Sequence, residues 1–101
     1  MRAVGIIEVF GLTTALVAAD AACKAANVVI EAFDKNKPGN ADKLPVPLLV
    51  AIKLRGSVSD VNMAMEAAER AANGVSGVNC KTIMASPDSG IDSFIKESCI
   101  K

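Results

Sequence analysis

Two alanine-rich segments with helical spacing each lie between short runs of apolar, often β-branched residues, and this alternation limits the folds open to the chain. Apolar residues that recur every three to four positions predict an amphipathic helix, whereas short apolar runs bounded by Gly, Pro or Asn predict strands. We therefore predict two helices, Leu12–Ala26 and Ser57–Asn73, and four strands, Ala3–Val9, Val28–Phe33, Leu48–Arg55 and Val78–Ala85.

The order strand, helix, strand, strand, helix, strand is that of the ferredoxin-like split β-α-β-β-α-β arrangement, an α+β fold. After the last strand, Ser89 and Asp92 predict the cap of a short C-terminal helix, Gly90–Lys96. With 101 residues, the chain has the length of one domain. We assign residues 1–97 to that domain and 98–101 to a C-terminal tail.

The apolar composition predicts a core of small area. Hydrophobic residues make up 51% of the chain, but aromatic residues only 3%, and 17 residues are alanine. Since hydrophobic stabilisation scales with buried area, at about 25 cal/mol per Å², many alanines contribute little each. Eleven basic and eleven acidic residues give a formal net charge of zero, which does not oppose association. The composition therefore favours a domain that buries more surface by assembling with further copies.

Composition also argues against several functions. A nucleic-acid-binding protein needs a basic face or stacking rings, and this chain is neutral and poor in aromatics. Without histidine it lacks the commonest general base and metal ligand. Three cysteines without a C-x-x-C pair indicate neither a disulfide framework nor a zinc site. No apolar run is long enough to cross a membrane. We predict no catalytic residues, no metal ligands, and neither a nucleic-acid nor a membrane partner.

Local patterns predict how individual side chains are used. Ser57 with Asp60 resembles a capping box at the start of the second helix, although Ser59 could cap equally well. Two ion pairs at i, i+4 are predicted on helix surfaces, Asp20–Lys24 and Glu66–Arg70. Glu8 is expected to be a solvated strand residue. Packing is expected for five further side chains, Cys23, Met63, Met65, Cys80 and Met84.

Several short motifs, taken in order, resemble the shell proteins of bacterial microcompartments. The first is G-x-x-E-x-x-G at Gly5, Glu8 and Gly11, followed by A-A-D at 18–20 and A-N-V at 26–28. The similarity resumes where an apolar strand ends in Arg55-Gly56, and it continues through an alanine-rich helix to a final strand and short helix. Each motif is weak alone, but their order and spacing extend over nearly the whole chain.

The resemblance implies that this chain is a structural subunit in the shell of a protein organelle in the cytoplasm. It also implies that the chain belongs to the class of shell subunits that have a single domain. Members form flat cyclic homohexamers that tile with other shell proteins and enclose enzymes, with which they interact only indirectly. A pore on the sixfold axis passes metabolites, and the loop between the second and third strands lines it. In this chain the long loop 34–47 corresponds to that pore loop. Five of its residues are expected at the pore: Lys43, Leu44, Pro45, Val46 and Pro47.

The resemblance also implies hexamer-edge positions, at which this chain departs from the family. Those positions are Phe10, Asn27 and Ser86. Many members have Lys where Phe10 stands and Arg where Ser86 stands. Both contacts expected to support flat tiling are therefore changed, although Phe10 could equally pack at a subunit boundary.

The pore loop is longer than in most members of the family. In this respect the chain resembles the shell proteins of glycyl-radical-enzyme microcompartments. One branch of these binds an iron–sulfur cluster through a Cys in a Pro-x-Cys-Pro motif. Here Pro45-Val46-Pro47 has no Cys, so no cofactor is expected.

Two other functions remain open at this point. The same fold could serve as a regulatory module that senses a small molecule at a subunit interface. An enzyme with acylphosphatase-like chemistry is less favoured, because no Arg lies between Arg2 and Arg55 to bind an acyl phosphate after the first strand.

Overall fold

A computed structural model of the chain describes residues 2–36 and 48–98. These residues form a four-stranded antiparallel sheet in the order β2-β3-β1-β4. The elements in chain order are β1 (Ala3–Phe10), α1 (Leu12–Ala25), β2 (Val29–Asn36), β3 (Leu49–Gly56), α2 (Val58–Asn73), β4 (Val78–Met84), a single 3₁₀ turn (Ser89–Ile91) and α3 (Asp92–Lys96). The predicted α+β fold and its short C-terminal helix are confirmed.

The core lies between the sheet and the two long helices, which pack against each other and against β1 and β3. Ile7 of β1 is paired with Ile52 of β3, and both are fully buried. Alanines line the helix side of this core, because their small side chains allow the helices to lie close together. The fully buried alanines of the two helices are Ala15, Ala18, Ala22, Ala64, Ala68 and Ala72.

Gly5 marks the closest approach of a helix to the sheet. A Cβ atom at this position would lie 2.8 Å from Sδ of Met65 and 3.0 Å from a methyl carbon of Val61. The position therefore requires a residue without a side chain if α2 is to lie flat on β1. The conformational freedom of glycine matters elsewhere, at Gly77, whose φ of +113° is unfavourable for other residues.

β2 extends three residues beyond its predicted end. The predicted strand ends at Phe33, but Asp34, Lys35 and Asn36 continue the ladder opposite β3. Their polar side chains favour a loop, whereas the backbone hydrogen bonds to β3 favour a strand, and tertiary pairing outweighs local preference. Asp34, Lys35 and Asn36, which were predicted to belong to the loop 34–47, are therefore part of β2.

The structure shows which residue caps each of two helical segments, α2 and the 3₁₀ turn before α3. The Ser57 hydroxyl accepts a hydrogen bond from the Asp60 backbone amide, at 3.1 Å, so Ser57 rather than Ser59 caps α2. The predicted Ser89 cap is wrong. The Asp88 carboxylate accepts a hydrogen bond from the Gly90 amide, at 2.7 Å, and begins the 3₁₀ turn before α3.

Other local predictions have mixed outcomes. Asp20 and Lys24 form the predicted ion pair, at 2.8 Å, but Glu66 and Arg70 are not paired in the described part of the chain. Met65 is buried as predicted. Three residues expected to pack are instead exposed, because they point away from the core layer: Cys23, Met63 and Cys80.

Candidate functional site

The predicted pore segment, Lys43, Leu44, Pro45, Val46 and Pro47, lies outside the described residues. The described residues on either side of it do show where it joins the sheet. Asn36, the last residue of β2, pairs with Leu49, the first residue of β3, and Leu49 also pairs with Phe10. The Gly11 amide donates a hydrogen bond to the Leu48 carbonyl, at 2.8 Å. The segment therefore leaves and rejoins the sheet at the end where β1 finishes.

The three predicted edge positions are not brought together. Phe10 lies at the end of β1, beside the two attachment points of the pore segment. Asn27 precedes β2 and Ser86 follows β4, so both lie at the opposite end, where β1 begins. Eight strand residues at about 3.3 Å each separate the two ends by about 25 Å. One contact surface at one end of the sheet cannot include all three residues.

Phe10 is half-buried, and its carbonyl takes part in a hydrogen-bond network that joins three parts of the fold. Its ring lies beside Gly77, and its carbonyl accepts a hydrogen bond from the Ser76 hydroxyl, at 2.6 Å. The same Ser76 oxygen lies 2.6 Å from the hydroxyl oxygen of Thr14, a buried residue of α1. This network connects the end of β1 to α1 and to the turn before β4. Phe10 therefore has a packing role within a single subunit.

α3 packs on the sheet face opposite α1 and α2, and cations of β3 hold both its ends. Near the start, the Arg55 guanidinium contacts the Asp92 carboxylate at 2.6 Å. Near the end, the Lys53 ammonium donates hydrogen bonds to the carbonyls of Phe94, at 2.9 Å, and Glu97, at 3.0 Å. Lys53 also forms an ion pair with Asp34. Since a five-residue helix is unstable alone, these contacts and burial of Ile95 hold it on the sheet.

The contacts of three side chains, Asp92, Lys24 and Cys80, shift their pKa values. The hydrogen bond from Arg55, followed by that from Lys96, lowers the pKa of Asp92 below its ordinary value. The hydrogen bond to Asp20 raises the pKa of Lys24. Partial burial and the neighbouring Glu8 carboxylate raise the pKa of the Cys80 thiol. Cys80 is therefore less readily converted to the reactive thiolate.

Two concave surfaces lie beside α3. A charged cleft of about 250 Å³ is lined by Arg2, Glu31, Arg55, Asp92 and Lys96. An apolar groove of about 310 Å³ is lined by Ile6, Lys53, Met84, Ile91, Phe94 and Ile95. In residues 2–36 and 48–98 no group of three or more Cys, Asp or Glu side chains could hold a metal ion. None of the helices within these ranges is long and apolar enough to cross a membrane.

The sequence motifs predict no role for Lys53 or Arg55. The sequence does hold one relevant feature. The two residues are two positions apart in an otherwise apolar strand, so both side chains point to the same face of the sheet. The acceptors are distant in sequence, because Asp92 follows Arg55 by 37 residues. The location of the face that receives α3 therefore required the tertiary structure.

Comparison with known proteins identifies the family. The model of the BMC domain matches residues 3–87. The bacterial microcompartment shell protein PduA of Citrobacter freundii is 32% identical over 94 residues, 93% of this chain and 91% of that protein. PduA of Salmonella typhimurium is also 32% identical, over 93% of this chain and 90% of that protein. The carboxysome shell protein CcmK3 of Synechocystis is 33% identical over 72 residues, 71% of this chain and 61% of that protein.

A solved structure supports the fold. A crystal structure of a microcompartment protein from Desulfitobacterium hafniense superposes with a TM-score of 0.72 and 23% identity, covering 95% of this chain and 47% of that one. At this identity the superposition supports the fold alone. The family model and the PduA sequences together carry the assignment, and the chain belongs to the BMC-domain family of bacterial microcompartment shell proteins.

Proposed function

We propose that this shell protein assembles as a cyclic homohexamer around a central pore. The observation that carries the proposal is that two different sheet edges, β2 and β4, lie on opposite sides of the domain. A closed ring uses heterologous contacts, in which each subunit presents two different surfaces to its two neighbours. An exposed sheet edge also tends to associate with another chain unless it is covered.

The attachment of the pore segment sets the direction of each subunit in the proposed ring. If residues 43–47 line the axis, the end of the sheet with Asn36, Leu49 and Phe10 faces inward. Asn27 and Ser86 then lie at the outer end, where neighbouring hexamers meet. The proposal keeps these two residues as edge positions and assigns Phe10 to the inner end.

In this assembly the chain acts as a wall component rather than a catalyst. Its partners are further copies of itself within the ring and other shell proteins around the ring. Encapsulated enzymes lie behind the wall, and their metabolites pass through the pore. The proposal includes no cofactor, because the sequence of the pore segment has no Cys for an iron–sulfur cluster. The family match favours this function over the regulatory-module alternative.

Negative-stain electron microscopy of the purified chain tests the ring directly. Class averages are expected to show discs with sixfold symmetry, and native mass spectrometry is expected to give multiples of six chains. Particles with the mass of one or two chains at micromolar concentration would contradict the proposal. A matched pair of variants, Thr82→Pro in β4 and Ser93→Pro in α3, tests the edge contact. Only Thr82→Pro is expected to abolish the ring.

A further inference from the structure

The charged cleft beside α3 contains more cationic than anionic side chains. Arg2, Arg55 and Lys96 contribute three positive charges, and Glu31 and Asp92 contribute two negative charges, so one positive charge is in excess. The Asp92 carboxylate contacts both Arg55, at 2.6 Å, and Lys96, at 3.1 Å. Glu31 lines the same cleft but forms no ion pair within residues 2–36 and 48–98. The cleft as a whole can therefore accept one monovalent anion.

Several N–H groups around this cleft have no acceptor among the described residues. Arg55 is 6% exposed, and its terminal nitrogens donate to the Asp92 carboxylate and the Arg2 carbonyl, but its buried Nε has no partner there. Arg2 donates one hydrogen bond in the described part of the chain, from Nη2 to the Arg55 carbonyl, at 3.2 Å. A buried N–H group without an acceptor is costly. An oxygen atom held in the cleft would supply the missing acceptor.

We propose that this cleft binds a small monovalent carboxylate, held by Arg2 and Lys96 beside the buried Arg55. The planar guanidinium of Arg2 presents its N–H groups in a fork that matches the two oxygens of a carboxylate. Lys96 has three N–H donors, of which its ion pair with Asp92 occupies one. The proposal goes beyond the wall function, because it assigns a ligand to a surface outside the pore.

The charge balance of the cleft favours a carboxylate over other ions. A phosphate group carries about −1.5 to −2 charges at pH 7. Its second charge would exceed the single positive charge available and would lie in the same cleft as the Glu31 carboxylate. A cation would meet the excess positive charge of the cleft and be repelled. A carboxylate carries one negative charge, which matches the excess.

The size and place of the cleft limit the ligand further. Its volume of about 250 Å³ lies below the range of about 300–1,000 Å³ for pockets that hold drug-sized molecules, so the ligand has only a few non-hydrogen atoms. The cleft lies at the end of the sheet where β1 begins, because Arg2 precedes β1 and Arg55 is paired with Val4. The pore segment joins the other end of the sheet. The ligand would therefore bind apart from the pore.

Saturation-transfer difference NMR of the acetate methyl group tests the site, because it detects weak ligands of large particles. The full chain is titrated with sodium acetate from about 0.1 to 50 mM at constant ionic strength, and saturable binding in the millimolar range is expected. Arg2→Met is expected to weaken binding at least about tenfold, because hydrogen bonds to a charged group are lost. Glu31→Gln is expected to strengthen binding, because it removes a like charge. The matched control, Lys24→Met, removes an exposed cation of α1 and should leave the affinity unchanged.

Each other outcome overturns the carboxylate site. Absence of saturable binding does so, as does an equal affinity in Arg2→Met and Lys24→Met. Glu31→Gln removes no side-chain contact of the described chain, so unchanged or weaker binding in this variant overturns the site even if Arg2→Met impairs folding. Chloride that displaces acetate at equal concentration, or inorganic phosphate that binds more tightly, also contradicts it. A particle of one or two chains that binds acetate as expected contradicts the ring and supports the cleft.

Discussion

Arg55 of β3 and Asp92 of α3 form an ion pair of 2.6 Å that connects the sheet to the C-terminal helix. Arg55 is 6% exposed, and its second terminal nitrogen donates a hydrogen bond to the Arg2 carbonyl. Its Nε is buried without a partner among the described residues. Most of the stabilisation from this side chain therefore depends on the contacts with Asp92 and Arg2.

Replacement of Arg55 by Met is expected to lower the free energy of unfolding by about 1–3 kcal/mol, because hydrogen bonds to charged groups are lost in a buried site. Urea denaturation at one fixed chain concentration measures the change, since assembly also contributes to stability. Lys24→Met is the matched control, as its ion pair with Asp20 is exposed. The control is expected to have a much smaller effect, because an ion pair between exposed side chains contributes little to stability. Equal losses would argue against the role assigned to Arg55.

The lowered pKa of Asp92 predicts that the folded protein loses stability in acid. Its pKa is lowered in the folded state, chiefly by the Arg55 hydrogen bond, from an ordinary value of 3.8. The folded state thus binds this proton less readily than the unfolded state. The stability from ionised Asp92 is complete above pH 3.8 and is lost as the pH falls through the lower folded value. Urea denaturation between pH 7 and pH 2 should show a smaller acid loss in Asp92→Asn. An unchanged acid slope would contradict this.

Gly5→Ala is expected to destabilise the fold by about 1–3 kcal/mol through overpacking. The new Cβ would lie 2.8 Å from Sδ of Met65, so the α2 side chain has to move. Gly74→Ala is the matched control, because φ at Gly74 is −76° and the nearest atom would lie at 3.4 Å. That change is expected to be neutral or stabilising by up to about 1 kcal/mol. Thermal unfolding of both variants measures the difference.

Ser57→Ala is expected to cost about 1 kcal/mol, because the first turn of α2 loses its capping acceptor. Ser59→Ala should have a much smaller effect, since the Ser59 hydroxyl does not accept from the helix amides in the described contacts. Chemical denaturation of the two variants distinguishes them. A larger effect at Ser59 would show that the cap is assigned to the wrong residue.

Ser86→Arg tests the proposed outer edge. Family resemblance places Arg at this position in many members, and Ser86 is exposed beyond the end of β4. The variant is expected to form larger flat sheets of hexamers in electron micrographs than the unmodified chain. Phe10→Lys, at the inner end of the sheet, should not promote sheets. Sheets formed by Phe10→Lys alone would reverse the proposed direction of the subunit.

The sequence by itself determined the order of the elements and the face of α2 that forms the core. Apolar periodicity suffices for this, because burial of one helix face depends on residues three and four positions apart. The tertiary structure decided the extension of β2 to Asn36, the cationic contacts that hold α3, and the separation of Phe10 from Asn27 and Ser86. Each of these depends on pairing between residues far apart in the chain, such as Arg55 and Asp92, and no local pattern specifies such partners.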